Sequence, residues 1–308
     1  MLVCNDTSFS YGCKLVARKP PQAELMLVVC GAFRLTKGVV SAMTKPNEQP
    51  FLSGEAYADD DLERVGQVLW PDDFADFKLR GEVLFVGSCH PPKKPATQCP
   101  VRLSLGDWKK ELMVHGDRTW QGKLSKTPSA PAPFESMPLD WAHAFGGPDI
   151  DANPAGKGLA DALPNVEFPG ELVGSPGDRP RPACMGPIAS SWAARNDKRG
   201  TNYGAAYQRT RAPFYADDFD WSYFNVAPAD QQLKDGYFRG DERLVLQNLH
   251  PSEPVVDTRL PALRVRAFAK TQAGDFRALT MVLDTVLVDG DEERVILSWG
   301  GHVRVAEH

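Results

Sequence analysis

Between Gln121 and Tyr237 the chain loses helix and strand periodicity while staying dense in aromatic, acidic, glycine and proline residues. Fourteen of the 26 prolines fall there, so neither a long helix nor a central strand can run through it. A linker would be polar and poor in aromatics, whereas this stretch carries Trp141, Trp192, Trp221, Tyr223 and Phe224. Buried backbone outside regular structure needs partners of its own. A long irregular segment in a compact domain is uncommon without a use. The expectation is an ordered middle of loops draped over a scaffold supplied by the rest of the chain.

That scaffold reads as β. Glu24 to Leu35 and Leu79 to Val86 are apolar runs of strand type. Val101 to Leu105 alternates and returns through Lys109 to Val114 after Gly106-Asp107, a tight-hairpin signal. Glu242 to Leu249, Ala262 to Lys270, Arg277 to Val288 and Arg294 to Trp299 follow, with turns at Gly274-Asp275 and Asp289-Gly290. Two short helices are expected, over Asp59 to Leu69 and Ile188 to Lys198. The fold class is therefore mainly β: antiparallel sheets in a sandwich or open barrel, a long ordered Pro/Gly-rich loop region and a few short helices. At 308 residues one domain is expected over 1–308. Its blocks are an N-terminal β part (1–120), an irregular middle (121–237) and a C-terminal β part (238–308), because the middle cannot bury its aromatics alone.

Composition excludes several classes. The net charge is -5 and no Lys/Arg run exceeds a pair, which disfavours nucleic acid as a partner. No signal-type start is present, and the longest apolar run, Leu25 to Phe33, is too short to span a bilayer. A cytoplasmic protein without a membrane partner is expected. The six cysteines form no CxxC pair and are read as reduced, mostly buried thiols. The acidic runs Asp59 to Asp61 and Asp291 to Glu293 are read as solvating loops.

Known catalytic and ligand motifs fail in detail. Asp149-x-Asp151-x-Asn153 resembles a calcium loop, but Pro154 and Ala160 stand where Gly and Glu belong. Gly156-Lys157-Gly158 lacks the rest of a phosphate loop. Cys89-His90 and Cys99 supply too few ligands for structural zinc. No GxSxG or HExxH occurs. No cofactor, metal or catalytic residue is assigned, and the chain is not expected to be an enzyme. Carboxylate pairs such as Asp117 with Asp218, or Asp220 with Asp230, read first as acceptors for backbone N–H groups.

Four phrases mix aromatic, acidic and Gly/Pro residues without helix or strand periodicity: HGDRTW (His115 to Trp120), PFESMPLDWAHAFGG (Pro133 to Gly147), NPAGKG (Asn153 to Gly158) and DFDWSYFNVAPADQQ (Asp218 to Gln232). Within them Asp117, Arg118, Trp120, Trp141, Phe145, Gly146, Gly147, Asn153, Asp218, Asp220, Asp230 and Gln231 are the partner-binding or structural candidates.

The order of these phrases, with LPNVEFP (Leu163 to Pro169), GPIASSWAAR (Gly186 to Arg195), GDE (Gly240 to Glu242) and LDTV (Leu283 to Val286), resembles a bacterial domain-of-unknown-function family. The resemblance covers about residues 75 to 300. Its members are encoded near type VI secretion genes and act as adaptors or chaperones for effectors with PAAR-type spike tips. The resemblance implies a cytoplasmic adaptor that binds a cognate effector or PAAR-like spike-tip protein and aids its loading onto the spike. A hydrolase with acidic residues in a loop-lined cleft, or a structural component of the apparatus, are the alternatives. A deep pocket with converging carboxylates or a His–Asp pair would favour the enzyme, and a broad groove or apolar patch the adaptor.

Overall fold

The computed structural model describes residues 4–19, 22–43, 45, 51–57, 66–160, 162–271 and 274–304. Ten strands carry the fold: β1 (Ser10–Lys19), β2 (Gln22–Arg34), β3 (Glu82–Val86), β4 (Gln98–Leu105), β5 (Trp108–His115), β6 (Val166–Glu167), β7 (Arg243–Gln247), β8 (Val255–Arg259), β9 (Val282–Asp289) and β10 (Arg294–Arg304). One sheet runs β1-β2-β10-β9-β3, with Ser41–Ala42 added beside β2, and the other runs β6-β5-β4-β7-β8. Every pairing within them is antiparallel except β9 with β3. The sheets face each other as a sandwich and neither closes into a barrel.

The second sheet shows why its sequence was readable. Along β4, Cys99, Val101, Leu103 and Leu105 are buried while Arg102 is exposed, the alternation of a sheet wet on one side. Leu105 pairs with Trp108 across Gly106-Asp107, and Gly106 has φ +57°, which a two-residue hairpin turn requires. The first sheet is buried on both faces. Phe33, Val286, Val295 and Phe85 meet the second sheet, while Ala32, Leu84, Leu287 and Ile296 pack against Val226 and Ala227 of the middle. This two-sided burial explains the continuous apolar run of β2.

The middle is ordered by short pieces: Met137–Pro138 pairs with Ser88–Cys89, 3-10 turns form at Trp141–His143 and Trp221–Phe224, and the helices are α1 (Ala193–Asn196) and α2 (Ala205–Thr210). A satellite core of Trp141, Trp192, Cys184, Ala189 and Val68 gives it an interior of its own, with the two indoles edge to face at 5.5 Å.

Several expected elements differ. The run Arg277 to Val288 is two strands, Phe276–Leu279 and β9, which lie in different sheets. Ala262 to Lys270 is a strand only over Ala267–Lys270. Most of the helix expected over Asp59 to Leu69, and the Asp59 to Asp61 cluster, lie outside the described residues. Its end instead forms a strand, Val68–Trp70, paired with Ala56–Tyr57. Asp291 does more than solvate: it accepts from the Ser88 hydroxyl at 2.9 Å and pairs with His90 at 2.8 Å. Among the described residues no helix is long and apolar enough to cross a membrane.

Candidate functional site

The phrase DFDWSYFN builds one wall of an open groove. Asp220 caps the turn Trp221–Phe224, accepting from Ser222 N at 2.9 Å. Asp218 accepts from Thr201 N at 2.7 Å and Asn202 N at 3.2 Å, which fastens the loop ahead of α2. Gly200, just ahead of Thr201, sits at φ +75°, and a Cβ there would lie 2.5 Å from Asp218 Oδ1. These acceptors place Phe219, Trp221, Tyr223 and Phe224 in one aromatic cluster with Tyr215, its rings 4.4 Å from Phe219 and 5.0 Å from Trp221.

Phe74 also lines the groove, with Tyr203 and Tyr207, whose rings meet at 4.9 Å. The groove encloses about 660 Å³ and opens to solvent; Tyr203 is 38% exposed. Two ion pairs line the groove. Arg195 donates to Glu55 Oε1 at 2.5 Å and Ile188 O at 2.7 Å, and its guanidinium lies 4.9 Å from the Tyr223 ring. Burial opposes the ionisation of Glu55, yet Arg195, with Tyr57 and Ser190 donating, holds its carboxyl below the usual range. Lys14 pairs with Asp76, which also accepts from the Tyr215 hydroxyl. Such a surface can grip an apolar or aromatic segment.

Beneath it lies a different cluster. Lys78 Nζ donates to Glu82 Oε1 at 2.7 Å and to Thr285 Oγ1 at 2.5 Å, with Asp284 at 3.9 Å. Asn225 and Ala227 N donate to the other Glu82 oxygen at 3.2 and 3.0 Å. Burial pushes Asp284 up to about 6, against the pull of Lys78, and burial also raises Asp73. The cavity these carboxyls share holds about 30 Å³, room for about one water.

The other singled-out residues are built into the fold. Arg118 donates to Glu167 Oε2 at 2.5 Å and Pro164 O at 2.6 Å. Asp117, with its side chain largely exposed, accepts from Asn165 at 3.0 Å. Trp120 and Trp141 indoles donate to Leu159 O and Pro187 O, each at 2.8 Å. Asn153, wholly buried, donates to Trp141 O and Phe145 O at 2.8 and 2.9 Å. Gly146 and Gly147 are buried around it. The stretch from Trp141 to Gly158 is fully exposed only at Pro148, Asp149, Asp151, Ala152 and Gly158. Gln231 donates to Val83 O and Met185 O and accepts from Lys110, which also bonds Asp230 at 2.9 Å.

Of the twelve, only Asp218 and Asp220 stand by the groove. Tyr203, Tyr207, Phe74, Tyr215 and the Glu55–Arg195 pair were not among them. Two tyrosines four apart in TNYGAAYQRT, Tyr203 and Tyr207, were the one available signal. His143 bonds Asp140 at 2.6 Å, but among the described residues no hydroxyl or thiol meets its other ring nitrogen. Cys89 and Cys99 are buried neighbours, and no disulfide forms among the described residues.

No curated protein and no solved structure matches the chain. Residues 21–300, nearly the whole chain, match a family described as "Uncharacterized protein conserved in bacteria (DUF2169)", and the chain belongs to that family.

Proposed function

We propose that this protein is a type VI secretion adaptor or chaperone. It binds a cognate effector or PAAR-like spike-tip protein in the cytoplasm and aids its stability and loading onto the spike. The observation that supports this reading is the open groove of about 660 Å³, lined by aromatic rings and by the Glu55–Arg195 and Lys14–Asp76 pairs. Tyrosines that reach solvent, as Tyr203 does, are among the side chains that carry binding energy at interfaces. Covering an apolar segment of the partner would keep it from aggregating.

Co-expression with each PAAR-type protein encoded beside it tests the reading. The expected outcome is a complex and a higher soluble yield of one partner, both lost in Tyr203→Ala/Tyr207→Ala while the fold persists. If no partner is bound or solubilised and a small-molecule screen gives turnover, the adaptor reading is wrong.

One observation favours a hydrolase: the convergence of Asp73, Asp284 and Lys78. We read the buried carboxyls as part of the fold, because the cavity's 30 Å³ is room for about one water. Asp284→Asn should then be more stable than the parent above about pH 6. A raised folded pKa of a carboxyl is a penalty that grows as pH rises through it, and the amide removes that penalty. Loss of a measured turnover with unchanged stability would restore the enzyme.

A further inference from the structure

The strands Ala267–Lys270 and Phe276–Leu279 pair only with each other among the described residues. A lone hairpin is marginal in water, and this one is held at its base by buried Leu279 and by Val265 against the main core. Phe276–Leu279 is the strand that leans on β10. The outer edge of Ala267–Lys270 is left open, and no backbone hydrogen bond from outside the hairpin reaches residues 264–270 among the described residues.

That edge is patterned. Exposure alternates from Arg264 to Lys270, so Arg264, Arg266, Phe268 and Lys270 form the outward stripe. Phe268 is 60% exposed and Phe276, diagonal to it on the same face, 68%. Residues 264–277 hold four cations against one carboxylate, Asp275, in a chain of net charge -5. Among the described residues no carboxylate pairs with Arg264, Arg266 or Arg277. Exposed edge strands are normally covered or used.

We propose that this edge takes an extended acidic segment of another protein as an added strand. The ladder supplies affinity and alternate side chains supply choice. Acidic residues on alternate positions would face Arg264, Arg266 and Lys270, and an apolar residue would face Phe268. Protein is favoured over membrane because the hairpin tip carries Asp275 beside Gly274, and a carboxylate at the leading point opposes entry into anionic lipid. The surface is distinct from the groove and does not depend on the reading of it.

The full chain is titrated with a labelled ten-residue Glu/Val peptide in which Thr alternates with the face residues and that face reads Glu, Val, Glu, Glu, and with its Lys/Val counterpart. The Glu/Val peptide is expected to bind, to slow amide exchange over residues 267–270, and to weaken about tenfold or more against Arg264→Glu/Arg266→Glu. Tyr203→Ala should leave this affinity unchanged, which separates failure here from failure of the groove. Equal binding of the Lys/Val peptide, no effect of charge reversal, or loss in Tyr203→Ala overturns the proposal. So does binding to phosphatidylserine vesicles or to single-stranded DNA with none to the peptide.

Discussion

Gln231 shows how single side chains hold an irregular middle. Its amide donates to carbonyls of β3 and of Met185, and its oxygen receives the buried Lys110 ammonium. Gln231→Ala leaves two buried carbonyls and a cation short of partners, at a cost of about 2–4 kcal/mol. Asp220 sits at the surface, so losing its cap costs only about 1 kcal/mol in Asp220→Ala. Thermal denaturation should rank the two variants in that order. His115 adds a pH signature. Burial first, then Arg118, lowers its pKa to about 4; Glu167 Oε2 lies 3.3 Å away but makes no hydrogen bond to it. A base depressed in the folded state contributes stability that is complete above about pH 6.5 and is lost as pH falls through about 4. The stability difference between the parent and His115→Leu should shrink over that window, and a difference flat with pH would refute the assignment.

The loop from Trp141 to Gly158 is a latch, and its glycines tell where it closes. A Cβ on Gly146 would lie 2.1 Å from Asn153 O, and one on Gly156 would lie 2.3 Å from Asn153 Nδ2. Gly158 has its nearest contact at 3.6 Å. Gly146→Ala should therefore cost about 3 kcal/mol and expose Trp141, seen as a red-shifted emission, while Gly158→Ala stays near the parent. The sequence announced this loop through its density of Gly and Pro but not its inward course, since the closing contacts join residues that share no period. The β4–β5 hairpin was legible because alternation and a Gly-Asp turn coincide. The break between Phe276–Leu279 and β9 was not, because a period of two says nothing of which sheet a strand joins. The groove was hidden for the same kind of reason. Helix α2 is one and a half turns long, too short to show a period, and Glu55 meets Arg195 across 140 residues of chain.

The two ends of the chain meet in one sheet, where β10 pairs with β2 from Arg294↔Arg34 to Arg304↔Glu24. The middle closes over the outer face of that sheet and is fixed from outside itself. Val226 and Ala227 rest on Leu84 and Ile296, Gln231 holds Val83 O, and Arg195 holds Glu55. Its own satellite core of Trp141 and Trp192 borrows Val68. Stability of such a segment is inherited from the scaffold, because loops without periodic faces bury too little apolar surface alone to offset the entropy of ordering them. A fragment of residues 121–237 expressed by itself should be unfolded, with collapsed amide dispersion and no cooperative melt. The same residues in the full chain should resist limited proteolysis as a block. A fragment that melted cooperatively would make the middle a domain in its own right, with the groove's Tyr203 wall assembled independently of the sandwich.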